Sequence, residues 1–598
     1  MSDSPARPRS TVAPAAASLA PFLPDLLHHR PSLALDHARV GQALRLAFGT
    51  GDAERSLERV MDHACVCDSS WGGSSFREGL YIDVLLSHCM SVQIAGLRPK
   101  LNHEYLRRLL DNPPRDPRDR RFRQEILTEL TSSPALRESF EAVYLRIFEL
   151  RKELQAIDNV GYYDSRVRRL FVLSRLRDLF VDLRRRFASA TSGLRRIHDY
   201  AAHVCDSAGF GHLRDLLQYE DRLSNVQFKM RLGSDGTLRR FEIVDVSENR
   251  DNPFYQSPLR RMFSKLGMWF RGYRIGESGL LDAWLDEVFE AMVQYLPTML
   301  RLLGDQEFYL AGLSFRDQCE QRGLPTAFPE VVERDAPADS LHVEGMFNPL
   351  LWLTPGSGPI PCRLDAESLC TKTILTGPNS GGKTRLLQAL GLTQVLGEVG
   401  LYAPVASATI PRANGLFVSL VEEGSVDQSE GRLGMELLRI RQLFERAGVG
   451  SLVLLDELCS GTNPSEGEEI FELVLSLLEQ LPARAMVATH FLDFARRLQR
   501  EALTEDSALS LAFLQVEVGA HELPTYGFVP GVAKTSMAQQ TAQRLGVTDS
   551  VLRALVQRQR LSHREVLRPV SPPIAIATRR RELAADPATP EPARCARG

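Results

Sequence analysis

Eight residues, Gly377-Pro378-Asn379-Ser380-Gly381-Gly382-Lys383-Thr384, constrain this chain more than any other part of it. They fit G-x-x-x-x-G-K-[ST], and their flanks suit the pattern: a short apolar run, Thr373 to Thr376, precedes them and a helix-forming stretch, Arg385 to Leu396, follows. Strand, glycine-rich turn and helix in that order gather backbone N–H groups and the positive end of a helix dipole around one point, which suits the oxygens of a phosphate chain. Lys383 can then reach the β and γ oxygens, and the Thr384 hydroxyl can face a Mg2+. The expectation is an α/β domain with a largely parallel sheet that binds ATP and Mg2+ through residues 377–384.

Two further strand ends carry chemistry. Leu452-Val-Leu-Leu-Asp456-Glu457 is an apolar run closing on two adjacent carboxylates. Charges at the end of a buried strand are costly unless they are used. Asp456 can hold the Mg2+, while Glu457 can orient or deprotonate an attacking water. A third run, Arg484 to Thr489, ends in His490. Open α/β sheets bind ligands at the carboxyl edge of their strands, so His490 is placed to sense a γ-phosphate or polarise the same water, with a plain packing role as the alternative. Together these are the parts of an ATPase, with Glu457 and His490 as its catalytic candidates.

The chain has 598 residues, room for two to four domains. Residues 1–34 and 566–598 are rich in Ala, Pro, Ser or Arg and read as disordered. From 35 to 335 the apolar residues recur at helical spacing, as in the face Val167, Leu170, Phe171, Leu176, Leu179, Phe180, Leu183 and Phe187. Alternating runs within 226–246, around Gly233-Ser234-Asp235-Gly236, insert a β-hairpin into these helices. From 336 to 535 short strands alternate with helices, and 536–565 is a further helical element.

With 72 Lys+Arg against 75 Asp+Glu, the net charge of −3 means that a nucleic-acid surface must be a local patch. Only seven of those basic residues are Lys, so Arg-rich stretches reflect a compositional bias first. The ten Arg and four Asp of 161–200 are then either a phosphate-tracking face or a solvated helix face. Nine Cys without paired spacing suit a reducing compartment, and a cytoplasmic location is expected. No run reaches the roughly 18 apolar residues of a membrane helix, and the first residues lack the apolar core of a signal peptide. His63, Cys65, Cys67, His88 and Cys89 do not have the common zinc spacing and read as ordinary core residues.

Four ordered motifs resemble one family. Gly377 to Thr384, Leu454-Leu-Asp-Glu-Leu-Cys-Ser-Gly-Thr462, Ala488-Thr-His-Phe491 and Tyr526-Gly-Phe-Val-Pro-Gly-Val-Ala-Lys-Thr-Ser536 look like the ATPase domain of MutS-type DNA mismatch repair proteins. More weakly, Asn112 to Gln124 with Leu127 to Leu136 looks like the opening of that family's helical lever region, and Val343 to Leu350 like its lead-in to the ATPase domain. The resemblance implies an ABC-type P-loop ATPase domain preceded by a mainly α-helical lever and core domain, the 226–246 hairpin being a reduced clamp. It implies ATP and Mg2+ as cofactors, DNA as partner (duplex or branched), a homodimer whose sites are completed across the interface, a helical dimerisation element at 536–565, and association with other repair factors.

The departures are as informative. Lever-like helices within the first hundred residues leave no space for mismatch-reading and connector domains, and the residues after 565 are too few for an Smr nuclease domain, so a short paralog is expected. Phe76-Arg77-Glu78 and Phe328-Pro329-Glu330 spell the mismatch-reading Phe-x-Glu in the wrong context. Where the family has a Ser/Thr-rich helix start, this chain has Asp427 to Glu436. There Ser429 and Arg432 either contact the opposite γ-phosphate or simply cap and solvate a helix. The expected function is ATP-driven closure of helical levers on DNA, in mismatch repair or related sensing of DNA damage and structure. The alternative is a nucleotide-switched factor binding a ribosome or RNA.

Overall fold

The computed structural model describes residues 23–31, 71, 75–156, 165–221, 225–232, 238–247, 277–333, 340–354, 358–366, 372–378, 381–420, 432–458, 463–502, 511–519, 524–535, 543 and 546–566. Of the sequence expectations, the hairpin turn 233–236, Asn379, Ser380, Ser429, His63, Cys65, Cys67, most of 536–548 and the tail beyond 566 lie outside these residues. The chain forms two compact units, Met1–Ser536 and Met537–Gly598.

The first part of the large unit is helical, and its punctuation is local. Asn102 accepts from the Tyr105 N–H to start α1 (His103–Asp111), and Asp116 accepts from the Arg118 N–H to start α2 (Pro117–Ser132), with Pro117 in the first turn. Pro134 cannot continue α2, so the chain restarts as α3 (Pro134–Ala156). Then come α4 (Ser165–Arg186), α5 (Arg195–Cys205) and α6 (Ala208–Asp221). Strands β1 (Asn225–Leu232) and β2 (Leu238–Ser247) pair antiparallel, Asn225 opposite Ser247. After α7 (Glu277–Val293), α8 (Leu296–Gln321) runs through the middle of the bundle, buried from Leu296 to Leu313.

In α4 the buried side is Val172, Leu173, Leu176, Leu179, Phe180 and Leu183, continued by Phe187 just past its end. Phe171, expected on it, is 42% exposed. A 3.6-residue repeat anchored on Leu176, Phe180 and Leu183 carries position 171 round to solvent, where Arg175 lies 5.1 Å above its ring. A second expectation also fails. Residues 23–31, assigned to a disordered terminus, are described, and Asp25, Leu26 and Leu27 are fully buried. Composition hid a Leu-Leu pair whose backbone is satisfied by side chains from afar: Arg123 Nε donates to the Leu27 carbonyl (3.0 Å) and Arg196 to the carbonyls of Asp25 and His28.

The α/β part follows as β3 (Glu330–Val332), β4 (Leu341–Met346), β5 (Cys362–Ala366), β6 (Lys372–Thr376), α9 (Lys383–Val399), β7 (Ser407–Pro411), β8 (Gly415–Ser419), α10 (Arg432–Arg446), β9 (Ser451–Asp456), α11 (Pro464–Gln480), β10 (Arg484–Ala488), α12 (Leu492–Ala502), β11 (Leu511–Val518) and β12 (Pro524–Pro530). Six strands form the main sheet in the order β12-β11-β6-β10-β9-β8, parallel except for β12. A second sheet, β3-β7-β4-β5, is not foreshadowed by the sequence reading.

Period-two alternation in β9 and β10 builds two cores. Val453, Leu455, Ala485 and Val487 face α10, α11 and α12, packing with Leu443, Phe471 and Phe494. Leu452, Leu454, Met486 and Ala488 face the other way, into a core shared with α9 and the helical part. The edge strand β8 is covered by Ser75, whose N–H and C=O bond to Leu416 and Val418. In the second unit, α13 (Asp549–Val566) exposes Val551, Leu552, Leu555 and Val556 along its length.

Candidate nucleotide site

β6, β10 and β9 are neighbours in register: Leu375 lies beside Ala488, and Ala488 beside Asp456. Their carboxyl ends therefore emerge together, and each continues into one of the singled-out motifs.

From β6 the chain enters the glycine-rich turn. Gly377 has φ +144°, and a Cβ there would sit 2.5 Å from Val516 Cγ2. Gly382 has φ +87° at the start of α9. Only glycine takes both conformations without strain. The Gly381 N–H closes the turn onto the Pro378 carbonyl (2.9 Å). Lys383 is 3% exposed and folds back over the turn, Nζ donating to the carbonyls of Gly377 (3.0 Å) and Pro378 (3.1 Å). Burial lowers its pKa, with Glu457 and Asp456 opposing the shift by their charge.

From β9 comes Asp456, 5% exposed. The Thr384 hydroxyl donates to its Oδ2, and its Oδ1 is buried with no hydrogen-bond partner among the described residues. Burial raises the Asp456 pKa; the Thr384 hydrogen bond acts against that and the Glu457 charge adds to it. Glu457 follows at φ +48°, rare for a non-glycine residue, with its N–H donated to the Ala488 carbonyl of β10 (2.9 Å).

From β10 comes Thr489, whose N–H bonds to the Leu375 carbonyl (2.9 Å) and whose hydroxyl accepts from the Phe491 N–H (3.0 Å). His490 sits in that turn, its ring 4.3 Å from Phe491 and its Nδ1 buried without a partner among the described residues. Lys383 and His490 are more than a hundred residues apart in the sequence; the sheet brings Lys383, Thr384, Asp456, Glu457 and His490 to one edge.

Beside the loop lies a cavity of about 640 Å3 lined by Lys383, Thr384, Arg385, Phe347, Tyr526 and Tyr81, among others. Sequence reasoning placed none of its aromatic residues in the site. Val343 to Leu350 and the Tyr526 motif were noticed only as parts of a resemblance, and nothing in the sequence signals Tyr81.

Other candidates fall elsewhere. Arg432 begins α10, but its side chain, like Ser429, lies outside what is described. Phe76 packs edge-on against Trp71, and Phe328 stacks on Tyr402 at 4.1 Å, so both Phe-x-Glu rings are used in packing. Along α4 and α5, Arg175, Arg177, Arg184, Arg185 and Arg195 each pair with a carboxylate at 2.9–3.2 Å, an ion-pair lattice that accounts for much of the expected basic stripe. No group of three or more potential metal-ligating His, Cys, Asp or Glu occurs among the described residues, and no described helix is long and apolar enough to cross a membrane.

Residues 373–561 match the family model for MutS domain V. The chain is similar to proteins named Endonuclease MutS2: 30% identical over 199 residues to that of Streptococcus mutans serotype c, covering 33% of this chain and 25% of the relative. Against that of Streptococcus equi subsp. equi it is 33% identical over 183 residues, 30% of this chain and 22% of the relative, and against that of Streptococcus agalactiae serotype Ia 32% over 205 residues, 34% and 25%. The match thus covers about a quarter of each relative's length. Its span, 373 to 561, takes in the glycine-rich loop, the Asp456-Glu457 strand end and His490, and over that span the chain is similar to MutS domain V and to the MutS2 proteins.

Proposed function

We propose that this chain is a MutS-type ATPase that hydrolyses ATP to ADP and phosphate and uses the cycle to open and close its helical half on DNA. One observation carries the reading: Lys383, Thr384, Asp456, Glu457 and His490 meet at the carboxyl ends of three adjacent strands, beside a cavity large enough for a nucleoside. In this reading 336–535 is an ABC-type ATPase domain, 35–335 the lever and core domain with 226–246 as a reduced clamp, and 536–565 the dimerisation element.

The residues divide the work by chemistry. The backbone N–H groups of Gly377 to Thr384, Pro378 lacking one, receive the phosphates, with Asn379 and Ser380 completing the turn. Lys383 leaves its carbonyl partners for the β and γ oxygens. Thr384 and Asp456 suit a Mg2+, since a hydroxyl and a carboxylate already in contact leave one buried carboxylate oxygen unpartnered among the described residues. When bound, that ion would offset negative charge on the phosphate oxygens. Glu457 takes the proton of the attacking water as its oxygen bonds to the γ-phosphorus and the bond to the ADP oxygen breaks. His490 hydrogen-bonds the γ-phosphate or that water through its unpartnered ring nitrogen. Ser429 and Arg432, at the entrance of α10, reach the γ-phosphate of a partner subunit.

The test is equilibrium binding of the full chain, at one stated salt concentration, to matched duplex, mismatched duplex, four-way junction and ribosomes, with and without a non-hydrolysable ATP analogue. An ATP-sensitive preference for a DNA structure is the expected result. Indifference to every DNA, with ATP-dependent ribosome binding, would replace this reading by the ribosomal one.

A further inference from the structure

Beyond β12 the chain turns back across the sheet to the root of the phosphate loop, and the catalytic scheme makes no use of that return. Gly531 starts it, at φ +122° and with a Cβ position only 2.8 Å from Gln515 Nε2, so that glycine alone fits. The Gly531 N–H bonds to the Phe513 carbonyl of β11 (2.8 Å), and Val532 packs against the core that holds Phe494 of α12. The Ala533 N–H then reaches Thr376 Oγ1 of β6 (2.9 Å), one residue before the glycine-rich turn. Residues 531–534 thus cross β11 and end beside the strand that launches the loop.

Thr376 is fully buried, and its hydroxyl works in both directions, donating to the Leu514 carbonyl of β11 (3.3 Å) and accepting from Ala533. An apolar side chain of the same shape would leave the buried Ala533 N–H unpaired. The far side of the returning segment is held by α12. Arg496 Nη2 donates to the carbonyls of Ala533 (3.1 Å) and Lys534 (2.6 Å), while its Nη1 donates to Asp493 (2.9 Å). Arg496 is 40% exposed and is not among the residues lining the cavity beside the loop. The loop itself rests on β11, where Val516 lies under both Gly377 and Gly381; a Cβ on Gly381 would be 2.9 Å from Val516 Cγ2. Floor and returning segment meet at one side chain, Thr376.

We propose that Thr376 and Arg496 are positioning residues of the phosphate loop. Arg496 holds 533–534 on the sheet, Ala533 holds the Thr376 side chain, and Thr376 fixes the strand end from which Gly377 departs. Phosphates bound on 377–384 and the path of 531–534 therefore stabilise each other. The proposal rests on the nucleotide reading above. Coupling of this kind is reciprocal: a loop fixed by phosphates protects the Ala533 N–H, and a segment loosened from the α12 side weakens phosphate binding.

The experiment uses the full chain, titrated with MgATP, and amide exchange read on the peptide spanning 530–536 with and without a non-hydrolysable ATP analogue. In wild type the analogue slows exchange there. Arg496→Ala, a change on α12 outside the cavity, weakens MgATP binding about fivefold, the lower end of ordinary coupling between separate sites. Thr376→Val weakens it at least as much and abolishes the effect of the bound analogue on exchange at 530–536. Thr376→Ser keeps the hydroxyl and restores both affinity, to within about twofold of wild type, and nucleotide-dependent protection. Should Thr376→Val fail to fold, Arg496→Ala and Thr376→Ser carry the test. Wild-type MgATP affinity in Arg496→Ala, or exchange at 530–536 that ignores bound analogue in the wild-type chain, overturns the proposal while leaving the nucleotide reading intact. A wild-type chain that binds no MgATP overturns both.

Discussion

Two carboxylates show how placement decides a residue's work. Glu457 is partly buried at a strand end facing the phosphate loop, so Glu457→Gln should keep ATP binding while lowering turnover at least about 100-fold, the usual size of a general-base effect. Lys383→Ala should lose ATP binding itself; titration with ATP alongside steady-state phosphate release separates the two, and near-normal turnover in Glu457→Gln would remove that residue from its role. Glu307, by contrast, is inside the helical part, accepting from the Asn102 N–H (2.7 Å) and the Tyr144 hydroxyl (3.3 Å). Burial pushes its carboxyl up to about 7 from an ordinary 4.5. A raised folded-state value means that the folded chain holds the proton more tightly, so stability falls as pH rises from about 4.5 to about 7 and is flat beyond, by roughly 3 kcal/mol in all. Glu307→Gln mimics the protonated form and should lack this slope. The difference in unfolding midpoint between variant and wild type should therefore move in the variant's favour from pH 5 to pH 8. A constant difference would show that Glu307 does not titrate in that window.

At the scale of elements, α9 joins the two halves of the large unit. Its first turn continues the glycine-rich turn; at its last, the Val399 carbonyl accepts from Arg123 Nη1 of α2 (3.0 Å), while the same guanidinium holds the Leu27 carbonyl. Arg123 is fully buried, so Arg123→Met would leave two carbonyls without their donor, a loss of about 2–4 kcal/mol. The expected outcome is a lowered Tm together with faster amide exchange and proteolysis at Leu26 to His28; unchanged protection there would mean that packing alone retains the segment. The contact was not legible in the sequence, because Arg123 and Leu27 meet across 96 residues and nothing near either of them signals the other. What was legible is local. The glycine-rich turn, the Asp456-Glu457 strand end and the apolar runs of β9 and β10 are each written in fewer than ten consecutive residues. The sheet β3-β7-β4-β5 was missed because its strands have three to six residues of mixed polarity and pair across a crossover, which leaves no period to detect. Phe171 was misplaced for a related reason: in an Arg-rich helix, choosing its buried stripe by apolar spacing alone admits a neighbour one position off.

At the scale of the whole molecule, the prediction concerns whether one chain holds a complete site. Asp456, Glu457 and His490 come from the chain that carries the loop, but Ser429 and Arg432 belong to the entrance of α10, beyond two strands of the sheet from β6, since β8 is the edge strand and α10 follows it. A group that far along the sheet suits a ligand on another subunit. If the chain works as a symmetric dimer with each γ-phosphate touched by the partner's Arg432, then Lys383→Ala is defective in the site it contains and Arg432→Ala in the site it completes. Mixing the two variants creates heterodimers in which one site combines an intact loop with an intact Arg432 and the other combines both defects. Random exchange makes about half of the dimers mixed with one working site of two, so turnover should recover to about a quarter of wild type from two nearly inactive parents. Phosphate release after overnight exchange of the two purified variants measures this directly. No recovery on mixing, or an Arg432→Ala chain with ordinary turnover of its own, would return Arg432 to the solvated start of a helix and make each subunit's site self-sufficient.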